Sequence, residues 1–155
     1  MEPSPVQYAS GVRRRQIDVL LSRYAESHLH PVNEIIHCIC VPAIVFALLA
    51  LVWSAHPLAA AAAVMTSLIY YFFLAPRLAL GMLLMASLML ALLPLLPAGR
   101  IWQIALLVFV LAWIGQFIGH HIEGKKPSFF DDLRFLLVGP LFVLGLLYRR
   151  CGWTY

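Results

Sequence analysis

From Ile35 to Gly119 the chain is apolar almost without interruption, and only Arg77 and Arg100 carry charge in that stretch. Turn residues break the run at three places: Ser54-Ala55-His56-Pro57, Pro76-Arg77 and Pro97-Ala98-Gly99-Arg100. The pieces between them have the roughly 20-residue length that crosses the hydrocarbon core of a bilayer. The pattern therefore predicts four spans, over residues 35–53, 57–75, 78–96 and 101–119. Upstream the periodicity changes. Ile17, Leu20, Leu21 and Tyr24 recur at i, i+3, i+4 and i+7, with Arg13, Arg14, Arg15 and Arg23 supplying a basic side. This predicts an amphipathic helix over 12–27, lying in the membrane interface or packed on the end of the bundle. Residues 1–11, with Pro3, Pro5 and Gly11, read as a flexible leader. His30-Pro31 ends the first helix, because proline disfavours the helical conformation in the residue before it. A new helix is expected to start near 31–33 and to run into the first span. Beyond the fourth span, residues 120–134 read as a polar loop in which Ser128 and Asp131 can cap a following helix. The last apolar segment, 135–148, is short for a span and is expected to be re-entrant, tilted or interfacial.

Composition agrees with this reading. The chain has 155 residues, 63% hydrophobic and 12% charged, with a mean hydropathy of +0.88. A soluble domain is nearer half apolar and a quarter charged. The expected fold is all-α: an integral membrane bundle of four to five transmembrane helices preceded by an amphipathic N-terminal helix. It forms one membrane-embedded domain over 12–150, with 151–155 as a tail and membrane lipids as surroundings. The net charge of +4 does not point to nucleic acid, because the basic residues flank apolar spans. No cleavable signal peptide is expected, since the first span begins only near Ile35. Cys38, Cys40 and Cys151 match no metal-finger spacing and imply no disulfide framework. With the N-terminus inside, Arg13, Arg14, Arg15, Arg23, Arg77, Lys125, Lys126 and Arg134 fall on one side and Arg100 on the other. Such a bias marks the first side as cytoplasmic.

That topology brings two polar clusters to one face. Span one starts there and span four ends there, so His28 and His37 meet the depth of His120 and Glu123. Gln116, His120 and Glu123 are spaced by four and three residues and share one helical face. Asn33 and His37 are likewise i, i+4. His28 and His37 are nine residues apart, and Pro31 turns the chain between them. Imidazoles and a carboxylate near membrane depth suit a transition metal with open positions, either non-haem Fe(II) or zinc. Asn33 and Gln116 read as supports for the ligands. His30 and His121 are weaker candidates that can equally face headgroups, and His56 falls in a turn at the opposite face. Tyr70-Tyr71-Phe72-Phe73 reads as an interface belt. No zinc-protease pattern, glycine-rich phosphate loop or serine-nucleophile motif is present.

The pattern Tyr24-x3-His28-x4-Asn33-x3-His37-x4-Pro42, followed by Trp113-x2-Gln116-x2-Gly119-His120-x2-Glu123-x3-Pro127, resembles the Mpo-type 2-hydroxy fatty acid dioxygenases. These are small multi-span proteins with many bacterial relatives. The resemblance covers about residues 15–150. It implies Fe(II)-dependent α-oxidation: a 2-hydroxy fatty acid is shortened by one carbon with O2 and without 2-oxoglutarate. It also implies a metal site of His28, His37 and His120, with Glu123 on a motif position. The substrate's carboxylate and 2-hydroxyl are expected to chelate the iron, its tail to lie among the helices, and Lys125 or Lys126 to steer the carboxylate. Ser128-Phe129 stands where the family pattern has Ala-Leu, a departure expected to alter the lip of the pocket, and His121 falls on a variable position. The expected setting is a bacterial inner membrane with the site on the cytoplasmic side. Two other readings use the same residues. A zinc-dependent membrane lipid hydrolase would use an activated water, and a non-catalytic lipid-binding protein would use the histidines only to tie helix ends.

Overall fold

The computed structural model describes residues 15–130 and 132–154. The leader expected over 1–11, residues 12–14 and Asp131 of the expected Ser128–Asp131 cap lie outside the described residues. The described residues form six α-helices and no strand: α1 (Gln16–Ala25), α2 (Pro31–Ala55), α3 (Pro57–Leu74), α4 (Pro76–Leu92), α5 (Ile101–Glu123) and α6 (Phe135–Arg150). Among the described residues there are also three short 3-10 turns, at Leu93–Leu95, Ala98–Arg100 and Ser128–Phe130.

The helix starts follow from the prolines. Pro31, Pro57 and Pro76 each open a helix, where the missing N–H costs no hydrogen bond and the fixed φ suits the first turn. His30 and His56 are the caps before two of them, and their Nδ1 atoms accept from the Val32 and Leu58 amides at 3.2 Å. Four segments are long and apolar enough to cross a membrane: Pro31–Ala55, Pro57–Leu74, Pro76–Leu95 and Ile101–Glu123. Their outward side chains are large and apolar; Leu58, Phe73 and Ile39 are 73%, 83% and 67% exposed. Only lipid makes such a surface comfortable, since soluble monomers rarely expose apolar patches of this extent.

The packing centres on the antiparallel pair α2 and α5. Gly119 lies against Asn33 and Ile36, and Gly115 against Cys40. At the far end Ala50 packs with Leu93, Ile101 and Ala105. Gly115 and Gly119, four residues apart, put small residues on two successive turns of one α5 face, which lets the helix backbones approach closely there.

The two helices that do not span close the near end. Ile17, Leu20, Leu21 and Tyr24 of α1 are all buried in one cluster with Val138, Leu141 and Phe142 of α6. Each such side chain contributes about 1.5–3 kcal/mol on full burial. The apolar face of α1 is thus spent on the bundle rather than on lipid. α6 has 16 residues, and both its ends meet the same end of the bundle. Phe135 packs on Tyr24. Tyr148 Oη donates to the Arg77 carbonyl at 3.2 Å, and Arg150 pairs with Glu34 at 3.3 Å. α6 therefore lies across the near end of the bundle as one helix, and four segments among the described residues have the length and composition of spans.

Candidate metal centre

The site sits where α2 begins and α5 ends. Gly124, at φ 72, stops α5 in the left-handed conformation that glycine tolerates, and the Lys125 amide closes onto the His120 carbonyl at 3.2 Å. His120 is thereby held in the last turn. α5 runs on through Glu123 rather than ending at Gly119, so the expected loop begins at Gly124. His28 comes from the turn between α1 and α2, and His37 from the second turn of α2. All three are buried, with 4%, 1% and 4% exposure.

One ring nitrogen from each of His28, His37 and His120 lies within 4.8 Å of the other two. The ring centroids are 4.0, 5.1 and 5.0 Å apart. The hydrogen bonds fix two of the tautomers. His28 Nδ1 lies 2.6 Å from the Tyr24 carbonyl, which can only accept, so Nδ1 carries the proton. His37 Nδ1 lies 3.2 Å from both the Asn33 carbonyl and Asn33 Oδ1, again acceptors. Both Nε2 atoms then present bare lone pairs, and they face each other at 2.8 Å. Burial lowers the His28 pKa to about 4, against the opposing pull of the Tyr24 carbonyl, so the ring is neutral near pH 7. Two uncharged lone pairs pointed at each other repel. A cation that accepts both removes the conflict. His120 Nδ1 is buried with no hydrogen-bond partner. Tyr24 stacks on His28 with centroids 4.3 Å apart and planes 8° apart, so ring position as well as tautomer is set. Burial raises the Tyr24 pKa and keeps it a neutral phenol.

Glu123, expected among the ligands, lies outside this group of three. Its carboxylate accepts from the Leu29 amide at 3.0 Å, the His30 amide at 2.8 Å and Asn33 Nδ2 at 3.1 Å. Asn33 Nδ2 also donates to the Ser27 carbonyl at 3.1 Å. The chain Glu123–Asn33–His37 thus ties the end of α5 to the imidazole of α2. This is the arrangement by which outer partners orient metal-binding histidines. Lys125, expected to steer a carboxylate, spends its Nζ on the Glu26 carbonyl at 2.5 Å. His30 and His56 are helix caps, and His30 and His121 are exposed.

A cavity of about 270 Å³ opens beside the rings, lined by His37, His120, Tyr24, Gln116, Trp113 and Ser128 among mostly apolar side chains. A second, apolar cavity of about 430 Å³ adjoins it across Val45, Leu48, Leu136 and Pro140, which line both. Gln116, expected to support the ligands, lines the first cavity with its Nε2 buried and without a partner. Ser128 and Phe129 line the cavity, in line with the expected change at the pocket lip, whereas the spacing of Trp113 carries no sign of a cavity-lining donor; burial without a partner is what reveals it.

Fold and site together define a helical membrane protein with a buried three-histidine pocket fit to bind a metal ion. The chain belongs to the family described as 2-hydroxy-palmitic acid dioxygenase Mpo1-like, whose model matches residues 15–151. That description implies a dioxygenase acting on a fatty acid. No curated protein and no solved structure matches the chain.

Proposed function

We propose that the protein is a membrane-embedded Fe(II) dioxygenase that shortens 2-hydroxy fatty acids by one carbon without 2-oxoglutarate. The reaction balances with O2 as the only oxidant: the 2-hydroxy acid and O2 become the shorter acid, CO2 and water. The observation that carries the reading is the pair of facing Nε2 atoms of His28 and His37, with His120 beside them. Family membership supports the choice of O2 and a 2-hydroxy acid. Three neutral imidazoles leave open coordination positions, as an oxygenase needs. When bound, Fe(II) would supply a chelating centre for the carboxylate and hydroxyl and would activate O2. The chain's own residues do the rest. His28, His37 and His120 hold the metal. Glu123 acts through Asn33 as a positioning residue. Gln116 lines the substrate cavity, and the apolar walls exclude water from the reacting carbon.

The charge pattern supports a site on the cytoplasmic side of the membrane, for which we propose a bacterial inner membrane. Arg23, Arg77, Lys125, Lys126 and Arg134 flank the end that carries the histidines, and Arg149 and Arg150 join them because the C-terminal end of α6 contacts Glu34 and Arg77 there. Arg100 alone, among the described arginines and lysines, flanks the other end.

The test is metal content of detergent-purified protein after anaerobic reconstitution with iron or zinc, for wild type and His37→Ala. About one iron per chain, lost in the variant, with O2 uptake on adding 2-hydroxypalmitate, is the expected result. Zinc retained in preference to iron, with no O2 uptake, would overturn the iron assignment. A folded wild-type protein that binds neither would remove the enzyme reading.

A further inference from the structure

Among the described residues, four buried side-chain atoms have no hydrogen-bond partner: Trp113 Nε1, Gln116 Nε2, His120 Nδ1 and Ser128 Oγ. All four residues line the cavity beside the histidines. Buried polar atoms are almost always paired, and each unpaired one costs stability, so four on one cavity wall call for a common reason. His120 belongs to the metal cluster. The other three are alike in a different way. An indole N–H and an amide NH2 only donate, and a serine hydroxyl can donate. They come from two places in the chain. Trp113 and Gln116 are i, i+3 on α5, on the face that continues to His120. Ser128 arrives on the turn after Pro127, and the Phe129 ring packs edge-on against the Trp113 ring at 5.1 Å, which pins that turn beside the indole. Among the described residues, no Lys, Arg, Asp or Glu lines the cavity.

We infer that Trp113, Gln116 and Ser128 form a neutral three-donor cradle for the carboxylate of the substrate, beside the histidines, and that the lysines of the following loop take no part in recognising the acid. The inference rests on the dioxygenase reading for its substrate. A carboxylate is acceptor-only and offers about four lone-pair sites. Chelation by a metal uses one of its oxygens, and the other needs donors in a place without water. Neutral donors serve this better than a lysine, which would compete with a cationic metal for the same pocket.

The experiment measures binding of 2-hydroxypalmitate and of its methyl ester to the full chain in detergent, metal-free and loaded anaerobically with iron. Wild type should favour the acid by at least about tenfold, as expected when a site built to hydrogen-bond one group meets an analogue lacking it. Trp113→Phe and Gln116→Leu should each reduce that ratio by about tenfold, and Ser128→Ala by several-fold, with iron content unchanged. Lys125→Gln and Lys126→Gln should leave the ratio alone. A purely structural role gives a different thermal signature. Removing a buried donor that has no partner should leave the melting temperature equal or raised, whereas breaking a structural bond lowers it.

Preserved acid preference in both the Trp113 and Gln116 variants, or its loss in the lysine variants, would overturn the cradle even if wild type turns over its substrate. Loss of acid preference in the metal-free Gln116→Leu variant would uphold the cradle even if the wild type proved to bind no iron. The two readings therefore fail separately. Absence of any acid preference in wild type would overturn the cradle outright.

Discussion

Glu123 illustrates how a charge can support a candidate metal centre from outside its group of histidines. Its carboxylate sits over the start of α2, where the Leu29 and His30 amides point outward and the helix dipole favours negative charge. Its third partner, Asn33, is fully engaged: Nδ2 serves Ser27 and Glu123, and Oδ1 receives the His37 Nδ1 proton. Substituting Gln for Glu123 keeps the shape but removes the charge and turns one acceptor into a donor facing an N–H. The His37 ring then loses its restraint through Asn33. Glu123→Gln should weaken iron binding by about 10–100-fold, the usual scale for losing an outer partner of a metal-binding histidine. A competition titration against a chelator reads this directly. Affinity equal to wild type would show that Asn33 holds His37 unaided. The sequence placed Glu123 on the His120 face of one helix, and that is where it lies. Spacing along α5 could not reveal that the nearest atoms would be the open amides of α2, because those arrive from about 90 residues away in the chain.

The helices were legible because their boundaries are chemical. Pro31, Pro57 and Pro76 start three of them, and the apolar runs between turns are of membrane length. The end of α5 was less legible, since the histidines and Glu123 look like loop composition until Gly124 supplies the left-handed stop. The meeting of the near ends of α2 and α5 was legible in the two polar clusters, whereas the closeness of their packing has its signal in Gly115-x3-Gly119. A glycine pair shows only that some helix can come near; which one depends on tertiary fit. The two glycines make different demands. A Cβ on Gly115 would meet Cys40 Sγ at 2.6 Å, the end of a side chain that can be shortened. A Cβ on Gly119 would meet Asn33 Oδ1, which the network holds in place. Gly115→Ala should lower thermal stability, with Cys40→Ala restoring it. Gly119→Ala should cost on the order of 1–3 kcal/mol by overpacking and also weaken iron binding, because Asn33 must move. Thermal melts and iron content of the three variants separate these outcomes. Equal iron content in Gly119→Ala would show that Asn33 can shift without disturbing His37.

At the scale of the molecule, the fold places polar chemistry at one end and opens an apolar path away from it. α1 and α6 close the near end, so an acyl chain whose head lies among Trp113, Gln116 and the histidines has its way to the headgroup side blocked by Tyr24 and Phe135. The first cavity, about 270 Å³, meets the second, about 430 Å³, at Val45, Leu48, Leu136 and Pro140. The second is walled by Val52, Leu68, Met82 and Ala86 and runs toward the middle of the spans. A long tail gains about 0.8 kcal/mol for each methylene it buries there, roughly fourfold in affinity per carbon. This gradient should make chain length a property of the shared wall. Leu136→Trp would fill the passage while leaving the head site intact. Its affinity for 2-hydroxyoctanoate should match wild type, and its affinity for 2-hydroxypalmitate should fall until the two acids bind alike. Dissociation constants across a series of chain lengths give the answer. If Leu136→Trp keeps the wild-type preference for long chains, the tail leaves the first cavity sideways into lipid, and the second cavity has no part in selecting substrate.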